Sequence, residues 1–288
     1  VKEARATAPY FLILDEMNLA RVEHYFADFL SALESGEPLH LHNSQEVEDG
    51  LVEGEEQIAP VPRQLSIPPN VFFIGTVNVD ESTYLFSPKV LDRAFTIELN
   101  SVDLGGLSTG IQRGGVLDLG KWNGRLDPPM RPGRNDWQWL VALEDGALAS
   151  QVQAFHNLLA QHNRHFGYRV AVELARFVRL ATEQADQPGP ASWAALDLAL
   201  LQKVLVKLHG TRHELTGILD ALQRFTLVGA AEDTALAELS LWTYVPEEVV
   251  VRRKDESADN EAVFPRSAAK LWRMRERLRE TGFTSWIE

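Results

Sequence analysis

The residues best suited to chemistry are two adjacent carboxylates and an asparagine, each at the end of an apolar run. Asp15 and Glu16 follow the five apolar residues 10–14, and Asn78 ends the stretch 70–78. A carboxylate suits Mg²⁺, and a second one beside it can orient or deprotonate water. An asparagine can hold that water or a phosphate oxygen. The alternatives are an acidic surface loop and an asparagine that only terminates a strand.

These residues need a parallel sheet to bring them together. Short apolar runs without alternation, such as 10–14 and the one within 70–78, are typical of parallel strands covered on both faces. In an open α/β sheet, ligands bind beyond the carboxyl ends of the strands. Residues 94–99 predict a third short strand. The apolar spacing over 18–35 predicts an amphipathic helix that ends at Gly36.

Residues 37–69 predict a β-hairpin with an acidic tip, inserted ahead of the second strand. His40 and His42 lie two residues apart, so they share one face of a predicted strand. They form either part of a metal site or a solvated pair, and the sequence offers no third ligand.

The second half of the chain is helical by its apolar spacing. A segment rich in glycine and proline, 101–137, precedes it and predicts a linker or insertion. Apolar residues at helical spacing then predict helices over 152–159, 170–181, 201–208, 215–225 and 270–280.

Three segments of the first half resemble motifs of AAA+ nucleoside triphosphatases. Asp15-Glu16-Met17-Asn18 resembles Walker B, the Gly-Thr-Val-Asn-Val-Asp of 75–80 resembles sensor 1, and 87–95 resembles an arginine-finger segment. The pattern is most similar to the McrB-like branch, the motor subunits of modification-dependent restriction systems. In the second half, His165-Phe166-Gly167-Tyr168-Arg169 resembles the sensor 2 start of the helical lid.

The resemblance implies a site for ATP or GTP hydrolysis. Asp15 would hold Mg²⁺ through bound water, Glu16 would orient or deprotonate the attacking water, and Asn78 would hold that water or the γ-phosphate. Arg93 would reach into a neighbouring subunit's site, with Lys89 a weaker candidate. Further nucleotide contacts are expected from Asn18, Asp80 and Arg169.

Alternatives stay open at several of these positions. Arg93 can instead be a surface arginine paired with Asp92 or Glu98, and Arg169 an ordinary charge on a helix surface. The McrB-like signature places its aspartate three residues after the asparagine, whereas Asp80 lies two after. Because that signature accompanies GTP use, the sequence leaves ATP or GTP undecided.

Composition limits the remaining classes. The chain has 288 residues, a net charge of −13 and no cysteine, which excludes disulfides and argues against wrapping a nucleic acid backbone. No bilayer-spanning run or signal peptide is visible, so we expect a cytoplasmic protein without membrane contact. No Gly-x-x-x-x-Gly-Lys-Ser/Thr loop occurs in the 288 residues, so they lack Walker A. We therefore expect them to be the C-terminal part of a longer protein and to be inactive by themselves.

The predicted fold class is α/β: a partial AAA+ P-loop core with a β-hairpin insertion, followed by an α-helical lid domain. The predicted domains are a core part at 1–100, a linker or insertion at 101–150 and a helical bundle at 151–288. The resemblance implies a homo-oligomeric ring, a hexamer, with an McrC-like nuclease partner and DNA bound through other regions. The alternatives are a non-catalytic scaffold subunit and a MoxR-type protein-remodelling ATPase.

Overall fold

The computed structural model describes residues 9–43, 61–78, 86–99, 132–230, 238–246, 248–254 and 261–287. Asp80, the hairpin tip at 44–60 and the glycine-rich stretch 101–131 lie outside these described residues. The chain divides into two compact units. The N-terminal unit comprises 1–93 and 100–130, and the helical unit comprises 94–99 and 131–288.

The N-terminal unit contains a parallel pair of strands. β1 (Tyr10–Leu14) and β4 (Val71–Gly75) pair in register from Tyr10 opposite Val71 to Leu14 opposite Gly75. This confirms both predicted strands and their adjacency. The predicted burial on both faces is wrong for β1, because Tyr10 and Ile13 are 49% and 62% exposed. The apolar cluster of this unit reaches only the end of β1, through Leu14.

The helix predicted over 18–35 is broken into pieces. A 3₁₀ turn at Met17–Leu19 precedes α1 (Val22–Tyr25), and α2 (Ala27–Ser35) follows after Phe26 leaves helical geometry. Gly36 ends α2 as predicted, in a left-handed conformation with φ 73°, and its N–H bonds the Ala32 carbonyl.

The remaining elements of this unit are short. β2 (Leu39–His40) pairs antiparallel with β3 (Gln64–Leu65), which confirms the predicted hairpin. α3 (Pro88–Leu91) follows the sensor segment. Its Val90 packs with Val22, Phe26 and Leu30 in the cluster beneath β4.

The helical unit contains long helices around a well-buried core. They are α4 (Arg134–Ala142), α5 (Ala147–Gln161), α6 (Tyr168–Glu183), α7 (Pro188–Ala199), α8 (Arg212–Val228) and α9 (Pro265–Thr281). The helical regions predicted after 151 are confirmed, although 200–207 continues α7 as a π-helical and then a 3₁₀ turn. The buried apolar residues of these helices include Phe155, Leu174, Leu196, Leu219 and Leu271.

Helical structure begins earlier than the sequence predicts. Helix α4 and the start of α5 lie inside the range 101–150, which the sequence predicts to be a linker or insertion. Leu140 is completely buried, and the Asp136 carboxylate caps α4 by accepting from the Gly133 N–H at 2.9 Å. Neighbouring prolines and glycines hide this short apolar pattern in the sequence.

The described part of the helical unit also contains two small antiparallel pairs, neither of which the sequence predicts. β5 (His209–Thr211) pairs with β8 (Phe283–Ser285), and β6 (Trp242–Val245) with β7 (Val250–Arg253). Each strand has only three or four residues, too few for a periodicity to stand out.

The third strand predicted at Ala94–Leu99 is wrong. Within the described ranges no strand pairs with this segment, which belongs to the helical unit. Its backbone instead bonds a helix turn, since the Thr96 N–H donates to the Gln202 carbonyl at 3.1 Å. No helix in the described part of the chain combines the length and the apolar character that crossing a bilayer requires.

Candidate functional site

The candidate site lies at the carboxyl ends of β1 and β4. Leu14 pairs with Gly75, so the residues that follow each strand emerge at the same sheet edge. Backbone bonding continues beyond the strands, since Thr76 N donates to Leu14 O and Met17 N donates to Thr76 O, each at 2.9 Å. The two loops are therefore fixed to each other directly after the strands.

Thr76 connects the two predicted catalytic carboxylates. Its hydroxyl donates to Asp15 Oδ1 and accepts from the Glu16 N–H, whose nitrogen lies 3.0 Å away. One hydroxyl can fill both roles because it carries a donor and two lone pairs. Thr76 is not among the predicted site residues, although its place between a strand end and Asn78 is a usable signal.

Glu16 adopts a backbone conformation that is unusual for its type. With φ 50° and ψ 44° it is left-handed, which costs on the order of 1–3 kcal/mol in a residue other than glycine. Its side chain lies beside Asn78, whose Nδ2 donates to Glu16 Oε1 at 3.5 Å, the long limit of a hydrogen bond. Both side chains are exposed, so a ligand has access to them.

Asn18 is the buried residue of this cluster. Its side chain is only 4% exposed, and its Nδ2 donates to the Asn78 carbonyl at 2.8 Å. Its Oδ1 is buried without a hydrogen-bond partner. Within the described contacts, the Asn18 amide therefore positions Asn78.

Gly75 makes room for the loop after β1. A Cβ atom at this position would lie 2.5 Å from Met17 Sδ, closer than any normal contact. The Met17 carbonyl is itself held by the Tyr25 hydroxyl at 2.8 Å. The glycine therefore leaves room for the Met17 side chain as the structure places it.

Arg93 lies elsewhere in the N-terminal unit, against α2 and α3. Its guanidinium forms an ion pair with Glu34 and donates to the Lys89 carbonyl at 2.8 Å. The alternative partner Glu98 is engaged by Lys270, with Nζ and Oε1 2.5 Å apart. Sequence reasoning did not foresee Glu34, because it precedes Arg93 by 59 residues.

Arg169 belongs to the helical unit, in the first turn of α6 as predicted. Its Nε lies 3.9 Å from Glu173 Oε1, and Glu173 Oε2 lies 2.8 Å from Lys203 Nζ. Lys203 is completely buried, and this burial lowers its pKa against the opposing effect of Glu173. The structure thus brings Asp15, Glu16, Asn18 and Asn78 together, while Arg93 and Arg169 have other surroundings.

The oxygen donors at the strand ends fit Mg²⁺. Asp15 offers a carboxylate beside the Thr76 hydroxyl, and Mg²⁺ typically takes one or two carboxylates and keeps several waters. No group of three histidine, cysteine or acidic side chains among the described residues can hold a metal. His42 Nε2 lies 3.0 Å from the Val61 carbonyl and His40 Nδ1 3.5 Å from Gln64 Nε2, so both histidines contact the opposite side of the hairpin.

Comparisons with known proteins place most of the helical unit in a family. Residues 139–283, half of the chain, match the family described as "Domain of unknown function (DUF8727)". No curated protein and no solved structure matches the chain. By this match, the chain belongs to the DUF8727 family.

Proposed function

We propose that the strand-end cluster is part of a nucleoside triphosphatase site of the McrB-like AAA+ type, which hydrolyses ATP or GTP. The observation that carries the proposal is the meeting of Asp15, Glu16 and Asn78 across two parallel strand ends, with Thr76 between them. A carboxylate pair beside an amide at this edge suits phosphoryl transfer to water.

Each side chain has a distinct part in this reaction. Glu16 orients the attacking water and accepts its proton as the new oxygen–phosphorus bond forms and the bond to the leaving diphosphate breaks. Asn78, 3.5 Å from Glu16, holds the water or the γ-phosphate. Asp15 would hold Mg²⁺, which when bound neutralises charge on the phosphates.

The rest of the site comes from outside the cluster. The 288 residues contain no phosphate-cradling Walker A loop, so we propose that this loop lies in another part of a longer, cytoplasmic protein. Arg93 serves a neighbouring subunit of a homo-oligomeric ring, a hexamer, and must exchange its ion pair with Glu34 for a phosphate to do so. An McrC-like nuclease subunit and DNA are the proposed partners.

The test is Glu16→Gln in a protein that carries both this chain and a Walker A loop. We expect hydrolysis to fall at least hundredfold, because a general base contributes roughly 10²–10⁴-fold, while nucleotide binding is retained. Glu37→Gln, at an exposed glutamate outside the cluster, is the matched control and should hydrolyse normally. Unchanged turnover in Glu16→Gln would overturn the assignment.

The same assay separates the competing functions. A wild-type protein that binds nucleotide without hydrolysing it is a scaffold subunit. Stimulation by DNA supports the restriction motor, whereas stimulation only by a protein client supports a MoxR-type remodelling ATPase.

A further inference from the structure

Two buried lysines of the helical unit hold the extended segment Ala94–Leu99. Lys203 is 0% exposed and Lys270 is 3% exposed. Lysine is almost never fully buried unless its charge is paired, so each position needs an explanation. In both cases part of that explanation lies in the segment that directly follows Arg93 in the chain.

Lys203 contacts the first two residues of this segment. Its Nζ donates to the Ala94 carbonyl at 3.2 Å and lies 4.9 Å from the centre of the Phe95 ring. The Phe95 ring also stacks on Phe177 of α6, with centroids 5.2 Å apart. The far end of the segment is held by Lys270, whose Nζ lies 2.5 Å from Glu98 Oε1.

The helix carrying Lys203 is altered where it meets the segment. Residues Leu200–Val204 form a π-helical turn, a feature that often accompanies functional sites. Within this turn the Gln202 carbonyl accepts from the Thr96 N–H at 3.1 Å. The π turn thus supplies a backbone acceptor for the segment from the residue that precedes Lys203.

Glu173 connects Lys203 to Arg169. Its Oε2 lies 2.8 Å from Lys203 Nζ, and its Oε1 lies 3.9 Å from Arg169 Nε. One carboxylate is therefore shared by two cations, and a change at either cation alters the charge available to the other. Lys203 therefore contacts the segment Ala94–Leu99 directly and is connected to Arg169 through Glu173.

We propose that Lys203 is a positioning residue that fastens the segment Ala94–Leu99 to the helical unit and, through Glu173, sets the orientation of Arg169. The segment directly follows Arg93, so release of the segment would free the backbone on the C-terminal side of that arginine. The catalytic consequence rests on the proposed function, whereas the anchoring does not.

Limited proteolysis of the 288-residue chain tests the anchoring directly. Trypsin cleaves after Arg93 only when Arg93 and the residues that follow can leave their contacts, so a change in the cleavage rate at unchanged Arg93 contacts reports release of Ala94 and Phe95. We expect Lys203→Met to raise that rate about tenfold or more, equivalent to about 1.4 kcal/mol of opening free energy. Lys207→Met, at a half-buried lysine one turn further on, should leave it within twofold.

A second variant guards against general unfolding. Lys203→Met leaves the half-buried Glu173 beside Arg169 without its closest cation, whereas Lys203→Met with Glu173→Gln removes both charges together. The double variant should release the segment equally and keep the wild-type circular dichroism spectrum. Arg93 cleavage within twofold of wild type in either variant that keeps this spectrum overturns the proposal.

Hydrogen exchange of the wild-type chain tests, without any substitution, whether the segment is held against the helical unit. The Thr96 amide should exchange at least tenfold more slowly than it would in an unstructured peptide, because it donates to Gln202. Exchange at the unstructured rate would likewise overturn the proposal, whatever the variants do.

Kinetics in the longer protein test the catalytic part. Lys203→Met should lower kcat about tenfold and change KM for the nucleotide less, because the substrate contacts of Asp15 and Asn78 are intact. If Glu16→Gln abolishes hydrolysis but Lys203→Met leaves kcat within twofold, the positioning role is wrong and the proposed function stands. If the wild type does not hydrolyse nucleotide, the proposed function falls and proteolysis still decides the anchoring.

Discussion

Helix α9 is capped by a side chain from another helix, and replacing that side chain tests the packing of the helical unit. Phe264 occupies the N-cap position of α9 and forms no side-chain capping bond. Asp197 on α7 supplies the acceptors instead: Oδ2 accepts from Arg266 N at 2.8 Å and Oδ1 from Ser267 N at 3.0 Å. The Asp197 residue is 1% exposed, so water cannot replace these bonds.

The magnitude follows from these contacts. Asp197→Ala leaves two N–H groups unpaired in a buried place, where each costs about 1–3 kcal/mol, and loss of an N-cap costs about 0.5–2 kcal/mol. Because the two descriptions overlap, we expect the free energy of unfolding to fall by about 2–4 kcal/mol. Asp197→Asn keeps one acceptor oxygen and should lose about half as much.

Urea unfolding followed by circular dichroism at pH 7 measures this loss. The slope of the free energy against urea should be the same in all variants, so that midpoints compare directly. Asp186→Ala, at an exposed aspartate just before α7, is the control and should stay within about 0.5 kcal/mol of wild type. An Asp197→Ala variant as stable as this control would refute the capping role.

The pH dependence gives an independent check on Asp197. Burial raises the pKa of this carboxyl, against the opposing hydrogen bonds from Ser267 and Arg266. The pKa of the Asp197 carboxyl is thus higher in the folded than in the unfolded protein. Its contribution to the free energy of unfolding is therefore complete below the ordinary aspartate pKa, about 4, and is lost as the pH rises through the pKa of the folded state. The advantage of wild type over Asp197→Asn should therefore be larger at pH 4 than at pH 7, and the opposite trend contradicts this reasoning.

Two further predictions concern the proposed site in a protein that carries a Walker A loop. Thr76→Val removes the hydroxyl that bonds Asp15 and Glu16 but keeps the side-chain shape, so kcat for hydrolysis should fall about tenfold, while Thr76→Ser should retain the wild-type kcat. Equal rates in the two variants would exclude a role for the hydroxyl. Arg93→Ala should bind nucleotide but lose hydrolysis, and mixing this variant with Glu16→Gln subunits should restore part of the activity, because some interfaces then pair an intact Glu16 with an intact Arg93. Mixed rings that are as inactive as either parent would refute an arginine finger acting between subunits.

The strand-end cluster was largely predictable because its signals are local. An apolar run followed by Asp15 and Glu16, and another followed by Asn78, specify two parallel strands whose polar ends meet, and the structure pairs them in that way. What stayed hidden was how the side chains share partners. Thr76 bridges the carboxylates, and Asn18 holds the Asn78 backbone across 60 residues of sequence.

Burial was predicted less well than strand identity. An unbroken apolar run indicates a strand, but it does not state which elements cover each face. In β1 only the last residue, Leu14, reaches the cluster built on Phe26 and Phe73, and Tyr10 to Ile13 keep substantial exposure. The apolar run therefore predicted the position of this strand but not the exposure of its side chains.

The failed strand at Ala94–Leu99 and the two buried lysines have one physical explanation. Alternation of Phe95, Ile97 and Leu99 with smaller or polar residues is a strand pattern. In the structure Ala94, Thr96 and Glu98 form polar contacts, while Phe95 stacks on Phe177. Its partners, however, are the Gln202 carbonyl and the Lys203 and Lys270 ammonium groups, more than 100 residues away and on helices. An alternating sequence pattern indicates an extended segment. It does not indicate whether a neighbouring strand or the side chains of helices bind that segment.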